Sequence, residues 1–109
     1  MQLAATGESP STGPFRAIVD TDSDGTLIPN QHLERIEAIG IGEGMLYGFL
    51  GEARPVPLYE VDIHIDSSIL PGVIVIGVDQ GEEIILGRNV LNKLTLILDG
   101  PASEMTIRK

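Results

Sequence analysis

An all-β fold, a closed or semi-open barrel with one or two short helices, is the architecture that this sequence predicts. Hydrophobic residues make up 42% of the 109 positions and aromatic residues only 4%, and the aliphatic side chains are mostly Ile, Leu and Val, which favour strands. Short apolar runs alternate with turns rich in Gly, Asp and Pro. No repeat with a period of about 20–50 residues is present, which excludes a solenoid or a propeller.

The N-terminal stretch differs in composition from the rest of the chain. Residues 1–14 are rich in Gly, Ser, Thr and Pro, so we expect a flexible arm there and the folded domain at 15–109. A domain of this size buries only about two-thirds of its unfolded surface. Association with a second subunit would therefore stabilise it.

Beyond the arm, hydrophobic patterning predicts short strands separated by turns, together with two short helices. The expected strands are 15–19, 26–28, 60–66, 73–78, 83–86, 94–98 and 104–107. The expected helices are 31–36, with Asn30 near its N-cap and with Leu33 and Ile36 facing inward, and 88–93.

A glycine-rich segment precedes the strand at 60–66. Residues 40–51 carry five glycines among apolar side chains, so the backbone there can bend and approach another group closely. The residues that follow alternate apolar and polar side chains from Glu60 onward, which is typical of a half-exposed strand. Together the two segments predict a long, mobile β-hairpin.

The charge and composition exclude several classes of function. Sixteen acidic against seven basic residues give a net charge of −9, which disfavours nucleic acid and anionic membrane surfaces as partners. The absence of cysteine excludes disulfides, zinc–thiolate sites and cysteine nucleophiles. No apolar run approaches the roughly 20 residues of a membrane span, and no signal-peptide pattern is present. We expect no cofactor and no membrane contact from this segment, and the cytoplasm is the default compartment.

Two apolar strands end in distinctive polar turns. Their sequences are A-I-V-D-T at 17–21 and I-I-L-G-R-N-V-L at 84–91. They resemble the signatures of the retropepsin-like (clan AA) aspartic proteases, in which an apolar run precedes Asp-Thr/Ser-Gly-Ala/Ser and, later, an apolar pair precedes Gly-Arg-Asp/Asn and a short helix. The resemblance extends from residue 15 to about 107 and includes the order of the elements. It implies a retropepsin-like acid protease barrel of the single-domain, homodimeric type.

The resemblance also implies a reaction. Two aspartates, one from each loop, share a proton and hold a water between them; one acts as base toward that water, and the other hydrogen-bonds the scissile carbonyl. Two close carboxylates cannot both ionise cheaply, so their protonation states differ. This chain has one such motif, and a second Asp20 has to come from a two-fold partner. The implied activity is that of an aspartic endopeptidase acting on peptides at acidic pH.

Individual roles follow from the same resemblance. Asp20 supplies the catalytic carboxylate, and Thr21 hydrogen-bonds to its counterpart across the pair of loops. Asp24 and Arg88 form a bidentate contact that ties this loop to the C-terminal helix, and Asn89 gives further structural support. The hairpin at 45–56 is the flap that closes over the peptide. The residues expected to contact substrate are Asp22, Ser23, Asp24, Leu46, Tyr47, Gly48, Phe49, Leu50 and Gly51.

One position departs from the family pattern. Asp22 stands where the family has glycine, beside the substrate and the two catalytic carboxylates. Like charges about 4 Å apart repel by roughly 1 kcal/mol in water and by about 4 kcal/mol at an intermediate effective dielectric. The alternative function is therefore a catalytically degenerate domain that binds peptides or mediates dimerisation.

A calcium loop is a further alternative, because D-T-D-S-D-G-T-L at 20–27 matches the opening of an EF-hand loop. The match fails at Gln31, where a bidentate Glu is required, and at Pro29, and the preceding apolar run suits a strand better than a helix. His32 and His64 are separated and lack further ligands at zinc spacing. We therefore expect no metal site.

Overall fold

The computed structural model describes residues 1–10, 13–47, 50–79 and 81–98, with the side chains of the last helix described up to residue 94. These ranges contain seven strands and two helices. The strands are β1 (Gln2–Ala5), β2 (Ala17–Val19), β3 (Leu27–Pro29), β4 (Ile39–Tyr47), β5 (Ala53–Ile65), β6 (Ser68–Val78) and β7 (Ile84–Leu86), and the helices are α1 (Asn30–Arg35) and α2 (Arg88–Leu98).

All seven strands belong to one sheet, which curls into a half barrel and confirms the predicted all-β class with two short helices. The strand order is β1-β5-β6-β3-β7-β2, and β4 pairs with β5 outside this path. The long strands β5 and β6 are antiparallel, whereas β2 with β7 and β3 with β6 are parallel. None of the helices in the described part of the chain has the length and apolar character needed to cross a membrane.

The short strands β2 and β3 lie on either side of β7. Val19 of β2 is in register with Leu86, and Leu27 of β3 is in register with Ile85. Since β2 and β3 follow one another in the chain but are separated in the sheet by β7, the loop that joins them crosses the C-terminal end of β7. This crossing brings the acidic loop at 20–25 over the first residues of α2.

Aliphatic side chains from the sheet and both helices form one core. In helix α1, Leu33 and Ile36 are buried as the sequence predicts, although Ile36 is already the C-cap residue. In α2 the buried positions follow a helical spacing, which places one face of the helix on β6 and β7. Each fully buried aliphatic side chain contributes about 1.5–3 kcal/mol relative to an exposed one. The core residues contributed by the strands and α2 are Leu3, Ile28, Val61, Ile63, Leu70, Val73, Val75, Ile84, Leu86, Val90 and Leu94.

The predicted hairpin is formed by β4 and the first half of β5, with Tyr47 in register with Ala53 near its tip. Its register shifts by one residue between Gly40 and Gly42, and such a bulge bends the hairpin locally. Among the described strands β4 pairs only with β5. The outer part of the hairpin therefore extends away from the core, and Met45 and Tyr47 are exposed.

The N-terminal stretch contains a packed strand, which the interpretation as a loosely held arm missed. Strand β1 pairs antiparallel with β5, and Leu3 and Ala4 are fully buried. The N–H of Phe15 donates to the Met1 carbonyl at 2.7 Å. The polar composition at 6–14 concealed this strand, because only four residues carry it and its partner lies some 60 positions away. The division of the chain into an arm and a domain stays a prediction.

Two further local predictions differ from the structure. Residues 94–98, expected as a strand, continue helix α2, because a short apolar run fits a buried helix as well as a strand. The N-cap position of α1 is Pro29, and the Asn30 side chain hydrogen-bonds to the Asp79 carboxylate instead of capping the helix. The strand expected at 104–107 lies outside the described residues.

Shortening the Leu3 side chain tests the packing of β1. We expect Leu3→Ala to lower the free energy of unfolding by about 2–5 kcal/mol, because it removes a fully buried side chain and leaves a cavity. Leu50→Ala is the matched control, since Leu50 is 91% exposed and such surface changes stay within about 0.5 kcal/mol. Urea unfolding measures both. Equal, small effects would contradict the packed strand.

Candidate functional site

Asp20 is the first residue after β2, at the point where the chain leaves the sheet. Its N–H donates to the Leu86 carbonyl at 3.0 Å, which extends the β2–β7 ladder by one bond. Its carboxylate oxygen Oδ1 accepts the Asp22 N–H at 2.9 Å, and its carbonyl accepts the Ser23 N–H at 3.2 Å. The backbone of Asp20 is thus fixed by the sheet, while its side chain is exposed at the start of a tight turn.

The loop that begins at Asp20 supplies hydrogen-bond acceptors to the start of helix α2. The N–H of Arg88 donates to the Ser23 carbonyl at 2.8 Å, and the N–H of Asn89 donates to the Asp24 carbonyl at 3.2 Å. The first N–H groups of a helix have no partner inside the helix. The acidic loop therefore caps α2 with its backbone, and the helix holds the loop in place.

Gly87 lies where the loop and β7 come closest. A Cβ atom at this position would lie 2.8 Å from the Ser23 carbonyl oxygen and closer still to the backbone of Gly25. Side chains do not tolerate such a distance to backbone atoms that are themselves hydrogen-bonded. The glycine of the Gly-Arg-Asn turn is thus required by the crossing of the loop over β7.

Thr26, a residue that the sequence analysis did not single out, connects the parts of the site. It is fully buried. Its hydroxyl accepts the Gly87 N–H at 3.1 Å and donates to Asn89 Oδ1 at 2.8 Å. Asn89 Nδ2 in turn donates to the Ile74 carbonyl on β6 at 3.0 Å. The only local signal in the sequence is a threonine between the acidic loop and β3. A polar residue at the start of a strand does not by itself indicate a buried hydroxyl.

Asp24 and Arg88, for which the resemblance implies a bidentate contact, form an ion pair in which one hydrogen bond is described. Arg88 Nη2 donates to Asp24 Oδ1. The Asp24 side chain is 86% exposed and the Arg88 side chain is 54% exposed. Exposed ion pairs contribute only about 0–1 kcal/mol. The buried hydroxyl of Thr26 and the backbone bonds across the loop therefore hold the site together more than this pair does.

A cavity of about 510 Å³ opens between the hairpin and the sheet. Leu46 of the hairpin lines it, and its contact with substrate stays a prediction. Ile85, another lining residue, directly precedes Leu86, whose carbonyl binds the Asp20 N–H. The remaining lining residues, which the sequence analysis did not propose, are Leu27, Arg54, Val78, Gly81, Glu82 and Glu83.

Among the described residues, the others proposed for substrate contact do not line this cavity in a single chain. Tyr47 and Leu50 are 70% and 91% exposed near the hairpin tip. Ser23 donates its hydroxyl to the Gly25 carbonyl at 2.7 Å, which closes the acidic loop on itself. Gly48 and Phe49 lie outside the described residues. Contact of a peptide with the remaining ones, Asp22, Asp24 and Gly51, stays a prediction, as does the catalytic role of Thr21.

The carboxylates of the acidic loop do not converge. In the ranges that the structure describes, no three His, Asp or Glu side chains form a group that could hold a metal ion. Asp20 Oδ1 accepts a backbone N–H within the loop, and the Asp24 carboxylate binds Arg88. The geometry of a calcium loop is therefore not present among these side chains.

Comparison with known proteins identifies the architecture. No protein-family model and no curated protein sequence matches the chain. In three dimensions it is similar to the EIAV protease in complex with the inhibitor HBY-793, with a TM-score of 0.60 and 17% identity over 84% of this chain and 80% of that chain. At such identity the likeness concerns the fold, which is retropepsin-like.

A substitution at Gly87 tests the crossing of the loop over β7. We expect Gly87→Ala to lower the free energy of unfolding by about 1–3 kcal/mol or more, because the new Cβ meets two backbone groups. Gly40→Ala is the control, since its Cβ would have no atom nearer than 3.8 Å. Chemical denaturation of the two variants measures the difference. A Gly87→Ala chain as stable as Gly40→Ala would contradict the close approach.

Proposed function

We propose that this retropepsin-like chain is one half of a homodimeric aspartic endopeptidase, in which two Asp20 carboxylates activate a water for peptide hydrolysis. The observation that carries the proposal is the placement of Asp20. Its backbone is held by β7 and its loop is held by α2, while its carboxylate stays exposed. A fixed, accessible carboxylate in the loop that follows β2 of a retropepsin-like fold is suited to this chemistry.

The homodimer follows from the number of carboxylates that the reaction needs. Each chain has one strand that ends in Asp-Thr, so the second catalytic carboxylate belongs to a second copy. A two-fold axis beside Asp20 places equivalent loops opposite each other, since the same surface patch is used by both subunits. Thr21 directly follows Asp20 and is exposed, and its hydroxyl would join the two loops across the axis.

The chemistry requires two protonation states of one residue type. The ionised Asp20 accepts a proton from the water, whose oxygen attacks the scissile carbonyl carbon. The protonated Asp20 of the other subunit hydrogen-bonds and then protonates the carbonyl oxygen. Collapse of the tetrahedral intermediate breaks the C–N bond: the nitrogen takes the proton that the first Asp20 accepted from water, and the second Asp20 regains a proton from a hydroxyl of the intermediate. No covalent enzyme intermediate forms. Two carboxylates that share one proton meet this requirement.

The β4–β5 hairpin is suited to act as the flap. Its outer part extends from the core, and apolar side chains such as Met45 are exposed on it. Leu46 lines the cavity beside β7. Closure of this hairpin over an extended peptide would exclude water from the reaction. The similar EIAV protein is a protease with an inhibitor bound, which supports a peptide as the ligand of this chain.

A second candidate function is a peptide-binding or dimerisation module that does not cleave. The observation that favours it is Asp22, whose N–H binds the Asp20 carboxylate at 2.9 Å and whose exposed side chain adds a charge beside it. In a homodimer this adds two carboxylates to those of the two Asp20 residues. Their mutual repulsion opposes dimerisation.

A cleavage assay with a degenerate peptide library between about pH 3 and pH 7 decides between the two functions. We expect cleavage by the wild-type chain at acidic pH and a loss of at least about 100-fold in Asp20→Asn, because the amide cannot accept the proton of the water. We expect Asp22→Gly to cleave faster than the wild type, since it removes one charge per subunit beside Asp20.

The Asp22→Gly variant also separates failure of the chemistry from failure of the fold. Cleavage in Asp22→Gly alone would establish the binding module, on a fold still able to catalyse. Peptide cleavage that persists unchanged in Asp20→Asn would contradict an aspartic mechanism. If neither the wild type nor Asp22→Gly cleaves any peptide although both are folded and dimeric, the proposed protease function is contradicted.

A further inference from the structure

The turn before β7 forms a wall shared by two cavities. Glu82 and Glu83 line the 510 Å³ cavity beside the hairpin. They also line a second cavity of about 960 Å³, which extends along β2 and α1 past Ile18 and His32. A ligand that leaves the first cavity on this side therefore passes two carboxylates.

These two carboxylates are accessible and form no described ion pair, and Arg16 is the basic residue that lines the larger cavity with them. Glu82 and Glu83 are both exposed, and neither forms an ion pair with a described residue. The first cavity is otherwise apolar on the sheet side, where Leu27, Val78 and Ile85 line it. It thus combines a pocket for an apolar side chain with a negatively charged rim.

We propose that Glu82 and Glu83 determine substrate specificity, by selecting peptides that carry a lysine or arginine two residues from an apolar side chain bound in the 510 Å³ cavity. The inference rests on the proposed function, because it assigns the peptide that the same cleft accepts. In an extended peptide, side chains two residues apart lie on the same side and about 6.6 Å apart. That spacing suits a residue bound against Ile85 and a neighbour beside the turn at 81–83.

Arg54 is the competing determinant at the same cavity. It lies opposite Leu46 on the hairpin and is exposed, so it would attract an acidic side chain. Two carboxylates face one guanidinium around the cavity, and the chain carries a net charge of −9. The field in the cleft therefore favours a basic residue.

Matched peptides test this selection. Each has one central leucine and carries Lys, Gln or Glu at the second residue before or after it. We expect the lysine peptide to exceed the glutamine peptide by about two- to tenfold in kcat/KM at low salt, with the glutamate peptide weakest. The preference should shrink between about 0.01 M and 1 M salt, where the Debye length falls from about 30 Å to about 3 Å.

Two variants assign the preference to its residues. In Glu82→Gln/Glu83→Gln the lysine and glutamine peptides should become equivalent, whereas Arg54→Gln should keep or increase the lysine preference. Binding of the same peptides to Asp20→Asn, measured by fluorescence anisotropy, separates recognition from turnover. If Asp20→Asn binds the lysine peptide more tightly than the glutamine peptide but the wild type cleaves neither, this inference is supported and the proposed function fails.

Three outcomes overturn the proposal while leaving the protease function intact. These are cleavage with no difference between the lysine and glutamine peptides, a preference for glutamate that disappears in Arg54→Gln, and a lysine preference that survives in Glu82→Gln/Glu83→Gln. Each outcome shows that Glu82 and Glu83 do not select peptides by their charge.

Discussion

The passage of the acidic loop across the end of β7 is the constraint on which the rest of the site depends. Strands β2 and β3 both pair with β7, so the chain between them has to cross that strand within seven residues, 20–26. The crossing is close enough that Gly87 has no room for a side chain. The same contact gives α2 its cap and fixes the backbone of Asp20. Loop, helix and strand are thus positioned together by a few backbone hydrogen bonds and the Thr26 hydroxyl.

This arrangement leaves the Asp20 carboxylate exposed, and under the proposed function this carboxylate supplies one half of a reaction centre. Of the charged side chains near Asp20, some neutralise negative charge and others add to it. The Asp24–Arg88 pair neutralises one carboxylate of the loop, whereas Asp22 adds negative charge to this loop and Glu82 and Glu83 add it at the edge of the 510 Å³ cavity. A second copy brings the same charges with it. A basic peptide bound beside these carboxylates offsets the repulsion, so substrate binding favours assembly.

Much of the architecture was predictable because the motifs report backbone constraints. Gly87 and Arg88 form a turn between a buried strand and a helix, and Leu33 lies on the inward face of α1 as its spacing indicates. Strand β1 and the helical state of 94–98 were not predictable from local pattern, since long-range pairing and packing decide them. The lining of the cavity also escaped sequence analysis. Residues such as Glu82 and Arg54 line the same cavity only because the sheet curls, and no short sequence motif predicts that curl.

Subunit mixing tests whether one site is built from the Asp20 residues of two chains. Wild-type and Asp20→Asn chains are mixed at constant total concentration, allowed to exchange, and assayed for peptide cleavage. If both carboxylates are required, activity falls with the square of the wild-type fraction, to about one quarter in an equal mixture, because only wild-type pairs are complete. Activity that falls in proportion to the wild-type fraction, to about one half, would show that each chain acts alone and would contradict the shared site.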